Sequence, residues 1–86
     1  MKKLYYVYLI ISKNKNSTKS YVGYTNNLKN RVKKHNEGKG AKSTRGRFWK
    51  IIFKKKFKNR SSAMQYEYFL KKNRKLRKEL MKINDI

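Results

Sequence analysis

One uninterrupted apolar and aromatic run, Leu4 to Ile11 (LYYVYLII), limits most what this chain can fold into. It is far short of the roughly 20 residues of a membrane span. A run with so little alternation suits a strand covered on both faces. Met1-Lys2-Lys3 ahead of it is basic, but the stretch is short, Tyr-rich and without a cleavage-site pattern, so it reads as a strand and not a leader. The chain has 86 residues, enough for one domain (1–86) with one modest core. That core must be rich in rings, since the sequence carries seven Tyr, four Phe and Trp49.

The rest of the chain falls into short elements. Ser12 to Lys19 (SKNKNSTK) has the chemistry of a hairpin loop. Tyr21 to Thr25 (YVGYT) reads as a second strand, in which Gly23 marks either a bulge or a close approach to the backbone. Asn26 or Asn27 caps a helix running to about Asn36, with Gly38 as its stop. Gly38 to Arg47 (GKGAKSTRGR) is a basic loop, and its Lys39, Lys42, Arg45 and Arg47 are candidate contacts for a polyanion. Phe48 to Phe53 is a third strand, with Trp49, Ile51 and Phe53 on one side. Asn59 to Lys72 is a helix, in which Ser62-Ala63-Met64-Gln65 has the capping-box pattern. Leu76, Leu80 and Ile83 give a last helix its apolar stripe. The expected fold is α/β of the α+β type: strand, strand, helix, loop, strand, helix, helix.

Charge narrows the partners. Lys and Arg number 26 against four acids, a formal +22. Twenty of the bases are Lys, alongside nine Asn and six Ile, the mixture an AT-rich coding bias produces. Even so, this excess creates a strong positive field and favours nucleic acid through counterion release, ahead of acidic membranes or acidic proteins. The absence of Cys excludes disulfide scaffolds, thiolate zinc sites and thiol nucleophiles. A lone histidine, His35, excludes a multi-His metal site within one chain. The expected class is a small cytoplasmic domain.

A few polar residues lie beside apolar faces. On the first predicted helix, Leu28, Val32 and His35 share one side, and Arg31 is only ~60° from Leu28. Arg31 and His35 are four apart and stack together, while Lys29, Lys33 and Lys34 turn away. The plain alternative is an Arg whose stem covers the core edge and a hydrogen-bonded core histidine. On the second helix Ala63, Tyr66 and Leu70 define a face, and Glu67 lies at its edge. A carboxylate there needs a positive partner, either an ordinary salt bridge or a divalent cation held against a phosphate. Several tyrosines could stack bases instead of closing the core.

These residues are ordered as in a known family. Tyr6-Val7-Tyr8 followed by Tyr21-Val22-Gly23 resembles the paired tripeptides of the GIY-YIG nuclease superfamily. Arg31 eight residues after Gly23, His35 four later and Glu67 on a later helix fit the rest of its signature. His35 to Arg45 (HNEGKGAKSTR) is similar to the loop of its small stand-alone bacterial YhbQ-like branch. The resemblance covers roughly Tyr5 to Arg74. It implies a three-stranded antiparallel sheet flanked by helices, and an endonuclease using one Mg²⁺ or Mn²⁺ on DNA, in repair or recombination. It further implies Glu67 as metal ligand, Arg31 as phosphate clamp, Tyr8 and Tyr21 as catalytic tyrosines, His35 as a partner in proton transfer, and Gly23 as the small residue beside them. The chain departs from the pattern at Tyr6, where the family name has Gly, and lacks a Pro before the third strand. Asn73 and Asn84 are candidates for an Asn that many members carry. The rivals are a module of the same fold without turnover and a basic RNA-binding protein.

The charge excess makes its own prediction. Affinity for nucleic acid should fall steeply between 50 and 200 mM salt; a flat response in a filter-binding or anisotropy titration would contradict a phosphate-driven contact.

Overall fold

A computed structural model describes residues 4–84. Three strands, β1 (Tyr5–Lys13), β2 (Thr18–Thr25) and β3 (Lys50–Phe57), form an antiparallel sheet in the order β2-β1-β3. The helices are α1 (Leu28–Asn36), α2 (Arg60–Lys72) and α3 (Arg74–Ile83), with a short 3₁₀ turn at Lys42–Thr44. The sheet flanked by helices that the family resemblance implies is thus the observed architecture, in the element order read from the sequence.

The apolar run is the central strand, and each of its faces meets a different layer. Val7 and Leu9 pack with Val22, Ala63 and Leu70, joined by Leu76 and Leu80, so α2 and α3 cover this face. Tyr8 and Ile10 pack with Trp49, Leu28 and Val32, so α1 and the residues after it cover the other. Burial of each such aliphatic side chain contributes about 1.5–3 kcal/mol. Two layers on one thin sheet are how so basic a chain assembles enough core.

Local chemistry sets the element ends. Asn27, Asn59 and Asn73 cap the three helices, each accepting through its side chain from the backbone N–H three residues on. The capping box expected at Ser62 does not form, because Asn59 already accepts from Ser62 N–H at 2.8 Å, one turn earlier. Gly38, with φ of 76°, ends α1 in the left-handed region, as its position suggests. The hairpin loop is shorter than the polar stretch implies. Asn14 Oδ1 accepts from the N–H groups of Asn16 and Ser17 at 3.1 and 3.0 Å, and this local turn lets the ladder run through Lys13 and Thr18.

The third strand departs most from expectation. It begins at Lys50, leaving Phe48 77% exposed, and continues to Phe57 opposite Tyr5. Trp49, Ile51 and Phe53 do not share a side. Leu9 pairs with Phe53 but Ile10 pairs with Ile51, so Ile52 is an extra residue that reverses the alternation. Trp49 and Ile51 therefore join the Tyr8 face, and Ile52 and Phe53 the Leu9 face.

Gly23 is no bulge: it sits in unbroken register opposite Tyr8. A Cβ on it would lie 2.6 Å from Tyr8 Cζ and closer still to Tyr8 Oη, so the close approach is the Tyr8 ring lying over the strand. Gly23→Ala is expected to destabilise the fold by about 1–3 kcal/mol, the usual cost of overpacking, measured by denaturant unfolding. Gly23→Ala combined with Tyr8→Ala should recover part of that loss relative to Tyr8→Ala alone.

Candidate active site

Strand pairing puts Tyr8 and Gly23 opposite one another, and α1 then lays His35 and Arg31 across the same face. Tyr8 and His35 are fully buried. Tyr8 Oη is 2.9 Å from His35 Nε2, and His35 Nδ1 is 2.8 Å from Thr44 Oγ1. Thr44 donates its hydroxyl proton to Ala41 O at 2.7 Å. Having one proton, it must accept at the other contact, so His35 carries its hydrogen on Nδ1. Nε2 is then the acceptor for the Tyr8 phenol. The pattern fixes a one-way chain from Tyr8 through His35 and Thr44 to a backbone carbonyl.

The basic loop is ordered by this chain. Thr44 is fully buried, and its carbonyl accepts from Trp49 Nε1 at 2.8 Å. Asn36 holds the backbone of Trp49 through both its side-chain atoms. Gly40 passes directly over the imidazole, where a Cβ would lie 3.0 Å from His35 Cε1 and collide with Nδ1. Thr44 and Gly40 are site residues that the sequence pattern does not reveal. They fall in the basic loop that carries part of the family resemblance, but that pattern assigns neither residue a role.

Burial controls the titration. Desolvation pushes the Tyr8 phenol up to about 12, although the Arg31 guanidinium beside it works in the opposite direction. Burial, and then Arg31, lower His35 below its usual 6.5. At neutral pH the pair is thus a protonated phenol facing a neutral imidazole. Arg31 is held charged: the Tyr8 hydroxyl raises its pKa against its own desolvation, and Tyr21 adds to the effect. Its Nε is buried and has no hydrogen-bond partner among the described residues.

The remaining candidates are arranged around the same point. Tyr21 is half-buried, with its ring 4.9 Å from that of His35 and 6.4 Å from that of Tyr8. Glu67 lies on α2, 18% exposed, and its charge adds to the forces that raise Tyr8. Lys71, paired with Glu67 at 3.4 Å, lines a cleft with Tyr21 and Arg77. The site therefore draws on both faces of the sheet and meets at β2, the edge strand.

Among the described residues no three His, Cys, Asp or Glu side chains come together. Glu67 alone nevertheless suits a hard divalent ion that completes its shell from water and phosphate oxygens. Its present partner is weakly held, since Lys71 is 51% exposed and a pair spaced i, i+4 is worth about 0.3–0.5 kcal/mol.

Other sequence candidates are placed differently. Lys39, Lys42 and Arg45 are exposed on the loop. Arg47 serves the fold instead, since its Nε, Nη1 and Nη2 donate four hydrogen bonds to Ser12 and Ser17, clamping the loop to the hairpin. Asn73 caps α3, and Asn84 donates to the carbonyls of Leu80 and Ile52, so both have structural roles.

Residues 4–84 match the GIY-YIG catalytic domain. The chain is 46% identical to the UPF0213 protein OB0043 of Oceanobacillus iheyensis, over 83% of this chain and 80% of the other. It is 51% identical to the UPF0213 protein YazA of Bacillus subtilis, over 70% of this chain and 62% of that one. A solution NMR structure of the UPF0213 protein BH0048 of Bacillus halodurans is similar, with a TM-score of 0.50 and 36% identity, over 93% of this chain and 84% of that one. These relatives' names state no activity.

The buried imidazole makes stability pH-dependent. The folded state binds the His35 proton less readily than the unfolded chain, whose histidine titrates near 6.5. Stability is thus complete above about pH 6.5 and is lost as pH falls toward the lower folded value. Thermal unfolding should show this fall as pH drops below about 6.5, and His35→Gln should flatten it.

Proposed function

Because the chain belongs to the GIY-YIG family of nuclease domains, we propose that it is an endonuclease hydrolysing phosphodiester bonds of DNA in the cytoplasm, in repair or recombination. The observation that carries this reading is the buried Tyr8–His35–Thr44 chain beside a charged Arg31 whose Nε is unpartnered. A mere binding surface has no need of a one-way proton path with the imidazole kept neutral. An 86-residue nuclease has little surface for reading bases, so structure preference or low specificity is expected.

In this mechanism Arg31 takes a nonbridging oxygen of the scissile phosphate with its planar donors. Glu67 would hold Mg²⁺ or Mn²⁺, and the ion would supply charge neutralisation at the scissile phosphate. Tyr21, the less buried tyrosine, borders the phosphate. Tyr8 is buried with Arg31 beside it, and a phosphate that draws the guanidinium toward itself would open Tyr8 Oη to the attacking water. The water's proton passes to Tyr8 Oη as Tyr8 delivers its own to His35 Nε2. A phenol whose pKa is pushed up to about 12 cannot wait as phenolate at neutral pH. The imidazole makes the relay workable, because it stands ready as a neutral acceptor. Gly23 and Gly40 keep the two rings in reach of each other and of Thr44.

A nicking assay on supercoiled, branched and linear DNA, with RNA as comparison and with Mg²⁺ or Mn²⁺, tests the reading. Glu67→Gln should remain folded, bind DNA at least as well, and lose metal-supported cleavage. Arg31→Ala and Arg31→Lys should lower turnover by about 10²–10³-fold with little change in affinity. If Glu67→Gln cleaves normally and only melts earlier, Glu67 is a structural ion-pair partner and the single-carboxylate mechanism falls.

A further inference from the structure

Arg31 lines one cleft together with a second arginine, Arg60, which is exposed. A surface cleft of about 350 Å³ is lined by Tyr5, Tyr24, Thr25, Asn26, Arg31 and Arg60. It joins the strand end of β2 to the first residue of α2, and none of its lining residues is acidic. Among the described residues the one salt bridge is Lys71 with Glu67, so neither guanidinium has a carboxylate partner. Two cations lining one cleft without a counter-charge repel each other, and an anion between them removes that repulsion. Arg60 is also held in place. Its Nε donates to Tyr24 Oη at 3.2 Å, and Nε is its only nitrogen with a protein partner among the described residues. The two Nη groups keep their donors for something else.

Two other arginines of this chain serve the fold. In a sequence where twenty of 26 bases are Lys, Arg47 uses its fork on Ser12 and Ser17, and Arg77 donates through Nη1 to the carbonyls of Leu70 and Lys71. Arg60 is held through Nε by Tyr24, and its two Nη groups have no protein acceptor among the described residues. A planar fork with fixed direction and free donors suits a phosphate better than a mobile lysine does.

We propose that Arg60 and Tyr24 form a second phosphate position beside Arg31, so that the site takes a polynucleotide strand by two neighbouring phosphodiesters. This deepens the phosphodiester reading above and rests on it for the role of Arg31. Arg60 is a positioning residue: it fixes where the strand leaves the scissile phosphate. The same arginine also lines a cleft with Ser61, Met64 and Gln65, which gives the strand a continuation along the first turns of α2. The substrate class that follows is a chain with at least two consecutive phosphodiesters, in preference to a dinucleotide or a small phosphodiester.

The test uses the ¹⁵N-labelled full chain without divalent ions, titrated with d(TpT), which has one phosphodiester, and d(TpTpT), which has two. The Nε–Hε signals of Arg31 and Arg60 are followed by NMR. In the wild type both signals should move with d(TpTpT), which should bind about tenfold tighter than d(TpT). Arg60→Gln should bring that ratio to about 2, the statistical preference for a ligand offering two phosphates to one remaining position. Lys15→Gln, which removes the same charge from the hairpin loop, should keep the full ratio. An Arg60 signal that stays still while Arg31 moves, or a ratio that survives Arg60→Gln, overturns the second position and leaves the Arg31 reading standing. If Arg31 stays still and Arg60 moves, the phosphodiesterase reading falls instead; if neither moves, both fall.

Discussion

The contact of the Tyr8 ring with the backbone of Gly23 governs the geometry of the site. Tyr8 is on the central strand and can reach His35 only by lying flat over the neighbouring strand. A side chain at position 23 would occupy the space of the phenol itself. With the ring down, its hydroxyl is 2.9 Å from the imidazole, and the imidazole reaches Thr44. Thr44 orders the basic loop and positions Trp49, which closes that side of the core. One missing side chain thus sets a ring, a proton path and a loop, and Gly40 repeats the device on the far side of the imidazole.

Burial gives this chain its chemistry and its cost. Water is excluded from Tyr8 and His35, so one keeps its proton and the other stays neutral. In water the same two groups would have ordinary affinities and no fixed direction of transfer. The cost appears in acid, where a protonated His35 no longer suits its surroundings. All three polar members of the chain are satisfied by one another and by the Ala41 carbonyl, which is what allows them to be buried at all.

The charge of the chain divides into two kinds. Most lysines are exposed and supply a field without geometry. The arginines with partners are directional: Arg47 clamps a hairpin, Arg77 takes up the carbonyls at the end of α2, and Arg31 and Arg60 line one cleft. Against these, Glu67 is a lone negative group at the site, loosely paired to Lys71. Phosphate attraction alone does not account for a carboxylate so placed.

The order of the elements, the covering of Leu4 to Ile11 on both faces and the meeting of Arg31 with His35 were all legible in the sequence, because each follows from local pattern. A run apolar at every position must be covered twice, and residues four apart on a helix must stack. The ordered motif also singled out the tyrosines and Glu67. Local pattern failed where a long-range contact decides. The extra residue at Ile52 reverses Phe53 because of pairing with Leu9 and Ile10, which no window around Phe53 contains. Arg47 reads as one more base in a basic loop until folding brings Ser12 and Ser17 to its guanidinium. Thr44, Gly40 and the direction of the proton path were decided by tertiary structure alone. Their roles depend on which atoms lie within about 3 Å of an imidazole, and local pattern sets no distance between residues so far apart along the chain.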